Sequence, residues 1–236
     1  MEPDTIKAVY AILATAAVSV AYYFVLYRIG KMKKPGTCSV AIGCYLLRKI
    51  TGFLVLGVVP VAVAWFVFGQ SLAESGFRAG TTVTWLPYTA LLALFLTALN
   101  YFNSSNIRLQ KAYPELRLEN WGPGSALVLA FGWILYLVGY EMLFRGLLLH
   151  TCLEAFGLWP AVIINLSLYF ILHLPKGLKE SVATIPFGAV VIFLTVKSGS
   201  VLPAILLHSI QAVSFELFCI YRNPEMKFNR LISNKL

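Results

Sequence analysis

The stretch Ser125–Leu149, SALVLAFGWILYLVGYEMLFRGLLL, decides how the chain is read: it is apolar throughout except for Glu141 and Arg145 near its end. About 20 consecutive apolar residues suffice to cross a bilayer as a helix. Six further runs read the same way, at Ala8–Tyr27, Ile50–Gly69, Val83–Tyr101, Trp159–Leu174, Leu178–Val196 and Ser200–Tyr221. The expected fold is therefore all-α, a polytopic transmembrane bundle of about seven helices. Bulk composition agrees. Of 236 residues 59% are hydrophobic and 12% charged, with a mean hydropathy of +0.77. A soluble domain carries about twice that charged fraction, and one of this length could not bury so much apolar surface.

The net charge of +9 is placed where a membrane protein places it. Lys31, Lys33, Lys34, Arg48 and Lys49 lie between the first two apolar runs, and Arg222, Lys227, Arg230 and Lys235 follow the last. Basic juxtamembrane clusters set topology and touch anionic headgroups, so membrane lipids are expected partners and nucleic acid is not. The same rule puts the N-terminus out and the C-terminus in, which suits an odd number of spans and a prokaryotic cell (inner) membrane. The opening MEPD lacks the basic region of a cleavable signal, so the first run is expected to stay as a span. Cys38, Cys44, Cys152 and Cys219 show no spacing that suggests a disulfide or zinc framework.

Along the chain, residues 1–124 read as scaffold helices followed by an interfacial helix between Asn103 and Gly124. Residues 125–221 read as a four-helix core that carries the motifs, and residues 222–236 as a basic tail. Pro160 and Pro203 fall in first turns, while Pro60, Pro87 and Pro186 fall inside runs and predict kinks. Trp65, Trp85, Trp121 and Trp159 fall near the expected interfaces, as belt residues do.

Ionisable groups at membrane depth are costly and usually functional. Glu141, Arg145, His173 and His208 all fall in the last four runs, and the deep positions of the first three hold none. Glu141 and Arg145, four residues apart, share a helix face. With a turn at Gly157, Glu141 precedes it by 16 residues and His173 follows it by 16, placing both roughly 24 Å from the turn in an antiparallel hairpin. Asn165, Tyr169 and His173 make a polar stripe at helical spacing. Glu141, His173 and His208 are thus expected to line one cavity between the fourth, fifth and seventh spans. A carboxylate with a histidine can activate water, and a second histidine can stabilise an oxyanion. Glu plus two His is also a zinc set with an open position, so Glu141, His173 and His208 stand as alternative metal ligands. His150 reads as interfacial, and Glu216 as facing a vestibule or pairing with a base.

At these residues the sequence resembles the CAAX prenyl endopeptidase and bacteriocin-processing (Abi) family of intramembrane proteases. Its motifs EExxxR, FxxxH and HxxxN/D correspond to Tyr140–Arg145, Tyr169–His173 and His208–Ala212, the last preceded by Ser198-Gly199-Ser200-Val201-Leu202-Pro203. The resemblance covers roughly Ser125–Tyr221. It implies an intramembrane endopeptidase acting on a membrane-proximal peptide, hydrophobic or lipidated, with Glu141, His173, His208 and Arg145 catalytic. Tyr140, Tyr169 and Gln211 would touch substrate. Three positions depart: Tyr140 replaces the first glutamate, which in the family activates water with the second-motif histidine. Tyr169 replaces phenylalanine, and Ala212 replaces the asparagine or aspartate, with Gln211 one residue earlier as a candidate amide donor. The alternative implied by these departures is a catalytically impaired pseudoprotease that binds a hydrophobic or lipidated partner.

Overall fold

The computed structural model describes residues 2–31, 38–80 and 85–228. Lys33, Lys34, Arg230 and Lys235 of the two basic clusters lie outside the described residues, as does most of the 222–236 tail. Seven helices are long and apolar enough to span a membrane: α1 (Pro3–Arg28), α2 (Ser39–Phe68), α3 (Trp85–Asn103), α5 (Pro123–Phe156), α6 (Leu158–Lys176), α7 (Leu178–Ser198) and α8 (Leu202–Arg222). A short helix, α4 (Ile107–Ala112), lies between α3 and α5. Phe66, Leu94, Phe131 and Trp159 point outward on these helices with more than half of each exposed. In water such a surface would aggregate; in a bilayer it meets acyl chains.

α5 is the centre of the bundle, packed against α1, α2, α6 and α8, while α8 also packs on α3 and α7. Without a hydrophobic force between helices in lipid, close approach depends on small residues. At the α2–α5 crossing a Cβ on Gly57 would lie 2.5 Å from the Cα of Gly139, and one on Gly139 would lie 2.8 Å from the Cα of Phe53. Only glycine fits at either position. Both helices widen into π-turns here, Phe53–Val58 in α2 and Met142–Leu148 in α5. Such turns free carbonyls and frequently mark functional sites.

Several expectations change in detail. α2 begins at Ser39, so Arg48 and Lys49 sit inside a span rather than in a loop. A run of apolar residues understates a helix whose early turns face protein instead of lipid. Pro87 lies in the first turn of α3, where its missing N–H costs nothing, while Pro186 is interior to α7. The expected helix between Asn103 and Gly124 is only the six residues of α4. After it the chain runs extended, buries Leu116, Leu118 and Trp121, and pairs β1 (Asn120–Trp121) in parallel with β2 (Lys227–Phe228). Trp121, 1% exposed, is therefore packed and not a belt residue. The turn at Gly157 is where the spacing places it, with φ of +78°, a conformation that only glycine adopts freely.

Candidate functional site

The C-terminal half of α5 presents two neighbouring side chains in different directions, because adjacent helical residues differ by about 100°. Glu141 turns toward α8 and is fully buried. Its Oε1 lies 2.6 Å from His208 Nδ1 and its Oε2 lies 3.3 Å from Arg145 Nη1. Arg145, also fully buried, rests its guanidinium 4.6 Å from the centroid of the Tyr169 ring. Oε1 is therefore hydrogen-bonded, while Oε2 and the guanidinium nitrogens are held by charge alone, with no hydrogen bond among the described residues.

Tyr140 turns the other way. Its ring stacks on Phe144 and meets the edges of His173 and His208 at centroid distances of 6.4 and 5.9 Å. The two histidines flank position 140, not position 141. His173 places Nδ1 2.9 Å from the Tyr169 carbonyl. A carbonyl only accepts, so Nδ1 carries the proton and Nε2 of the neutral ring is the free acceptor. By the same reasoning His208 donates from Nδ1 to Glu141.

The polar cavity of the bundle has a volume of about 250 Å³ and opens between α1, α2, α5 and α6. His173 and Tyr140 line it, together with Tyr22, Tyr23, Arg48, Lys49, Glu115, Trp133, Tyr136 and Lys176. Glu141 and His208 do not. Of Glu141, His173 and His208, expected to line one cavity, only His173 lines this one. Equal depth along a hairpin specifies height and leaves azimuth open. The carboxylate's histidine partner is His208, not His173. Nor are the first three spans free of deep charge, since Lys49 is 3% exposed and contacts Glu115 at 2.8 Å, with its ammonium 3.0 Å from the centroid of the Trp133 ring. Burial would push the Glu115 carboxyl up, but Lys49, aided by Lys176 and Arg48, holds it below its ordinary value.

The remaining candidates find structural partners. Asn165 donates from Nδ2 to the Phe144 carbonyl at 2.7 Å, and His150 Nδ1 lies 2.7 Å from the Arg145 carbonyl and 3.1 Å from that of Gly146. Both satisfy carbonyls loosened by the π-turn, with His150 half-buried. Glu216, 1% exposed, accepts the Glu115 backbone N–H at 2.9 Å. The Gln211 side chain makes no hydrogen bond among the described residues; its backbone carbonyl accepts from Asn100 at 2.7 Å. Asn100, an uncharged residue of the third apolar run, joins α3 to α8 through that bond and a second to Ser214. A polar amide in an apolar run was the available signal.

Among the described residues no three His, Cys, Asp or Glu side chains converge as metal ligands. The Glu141 oxygens face His208 and Arg145.

Fold and site together define an integral membrane protein whose polar chemistry is assembled between helices below the lipid headgroups. Residues 122–214, from the start of α5 into α8, match the family described as type II CAAX prenyl endopeptidase, Rce1-like. The match covers the motif-bearing core alone, and over that stretch the chain is similar to the CAAX family of intramembrane proteases. No curated protein and no solved structure matches the chain.

Proposed function

We propose that this protein is a catalytically impaired protease that binds a hydrophobic or lipidated peptide at the cavity of α1, α2, α5 and α6. The observation that carries this reading is the division of labour at positions 140 and 141. The side chain between the two histidines is a tyrosine, which at neutral pH is neutral and a poor base. The nearby carboxylate, Glu141, does not line the cavity and faces His208 and Arg145. Loss of a positioned general base typically costs 10²–10⁴-fold in rate. What persists is a polar chamber in a membrane bundle, with aromatic and basic walls suited to a membrane-proximal peptide. The basic clusters support a cytoplasmic C-terminus.

One observation favours residual hydrolysis as a second reading: His173, with Nε2 free to accept a proton, faces the same cavity as the Tyr140 hydroxyl. Purified protein in detergent, incubated with a library of lipidated and unlipidated membrane-proximal peptides with and without chelator, separates the two. Binding without cleavage is expected. A cleavage product that disappears in His173→Ala would overturn the impaired reading, and its loss on chelation would point to a metal in the site.

A further inference from the structure

The cavity has a second property that the carboxylate–histidine chemistry leaves unused. Three cations, Arg48, Lys49 and Lys176, face it with one carboxylate, Glu115. Lys49 takes Glu115 at 2.8 Å, while neither Arg48 nor Lys176 has an ion-pair partner among the described residues. Two buried donors on this wall also lack hydrogen-bond partners: Arg48 Nε and the Tyr140 hydroxyl. Buried polar groups are rarely left so. The wall itself is braced. The Tyr22 hydroxyl donates to the Arg48 carbonyl at 3.2 Å, and the Tyr23 hydroxyl donates to the Leu172 carbonyl, tying α1 to α2 and α6.

We propose that this basic wall binds a phosphate anion, supplied either by the headgroup of an anionic phospholipid or by free phosphate. The donors come from separate helices, α2, α5 and α6, so they approach from different directions. A tetrahedral anion accepts from such a set better than a planar one, and an arginine beside a lysine is a common phosphate-binding pair. Basic pockets between membrane helices recognise lipid headgroups in this way. Leu26, Leu56 and Leu172 on the same cavity offer an apolar surface to the part of a lipid that follows its phosphate. The inference uses the cavity of the proposed function but does not depend on whether peptide is hydrolysed there.

The test measures retention of phosphatidylglycerol against phosphatidylcholine by native mass spectrometry, and thermal stabilisation by each lipid and by sodium phosphate at matched ionic strength. Preferential retention of phosphatidylglycerol is expected. Arg48→Gln and Lys176→Gln should each weaken it roughly fivefold, Arg48→Lys should restore part of the loss, and Lys197→Gln, on the exposed end of α7, should change nothing. Stabilisation by inorganic phosphate equal to that by the lipid would support the site with free phosphate as its ligand. Equal retention of both lipids without a phosphate effect, or wild-type binding by the double variant Arg48→Gln/Lys176→Gln, would overturn the proposal. Peptide cleavage in the separate assay, together with intact phosphate binding, would sink the impaired-protease reading and leave this one standing.

Discussion

Removing the charge of Glu141 tests the physical core of the site. Glu141 and Arg145 have no exposed surface and sit 3.3 Å apart. Glu141→Gln keeps the size and leaves a carbonyl oxygen to accept from His208, but it strands the guanidinium without a counter-charge. Breaking a buried pair from one side costs about 3–5 kcal/mol. Arg145→Met strands the carboxylate less completely, because His208 at 2.6 Å can take up a proton and neutralise it, so a smaller loss is expected. The double variant removes both charges and often costs little. The two single losses should therefore exceed the double loss by at least about 2 kcal/mol. Reversible unfolding in mixed detergent micelles, titrated with dodecyl sulfate, provides the measurement for all four proteins. Additivity within about 0.5 kcal/mol would falsify the pairing of these residues.

Tyr140→Glu returns a carboxylate to the position flanked by His173 and His208, and hydrolysis of membrane-proximal peptides should rise about 10²–10⁴-fold; an inactive but folded Tyr140→Glu would count against the geometric account of impairment. Gly139→Ala forces a Cβ to 2.8 Å from the Phe53 backbone and should cost about 1–3 kcal/mol, whereas Gly124→Ala, with open space around it, should be close to neutral in the same unfolding assay. Asn165→Leu removes the donor to the Phe144 carbonyl and should cost about 1 kcal/mol. Glu115 is held below its ordinary value of 4.5 in the folded protein, so its contribution to stability is complete above that pH and is lost as pH falls through the lowered value. Glu115→Gln should flatten this acid limb of the stability profile, and an unchanged limb would remove Glu115 from it.

Seven spans, the turn at Gly157, and the ionisable residues of the last four spans, Glu141, Arg145, His173 and His208, were legible in the chain. The reason is that lipid imposes a local rule: each span must satisfy its own backbone and present apolar side chains, whatever its neighbours do. The i,i+4 pairing of Glu141 with Arg145 was legible for the same reason, being internal to one helix. Azimuth was not, because it depends on how α5 rotates against its neighbours, and that rotation is set by the glycine contact with α2 and by the π-turn at Met142–Leu148. Only the tertiary structure decided that Tyr140 faces the cavity and both histidines while Glu141 turns to Arg145 and His208. It likewise decided that Arg48 and Lys49, which resemble loop residues in a hydropathy reading, are drawn into the bundle, because Glu115 and the ring of Trp133 reach them from segments far along the chain.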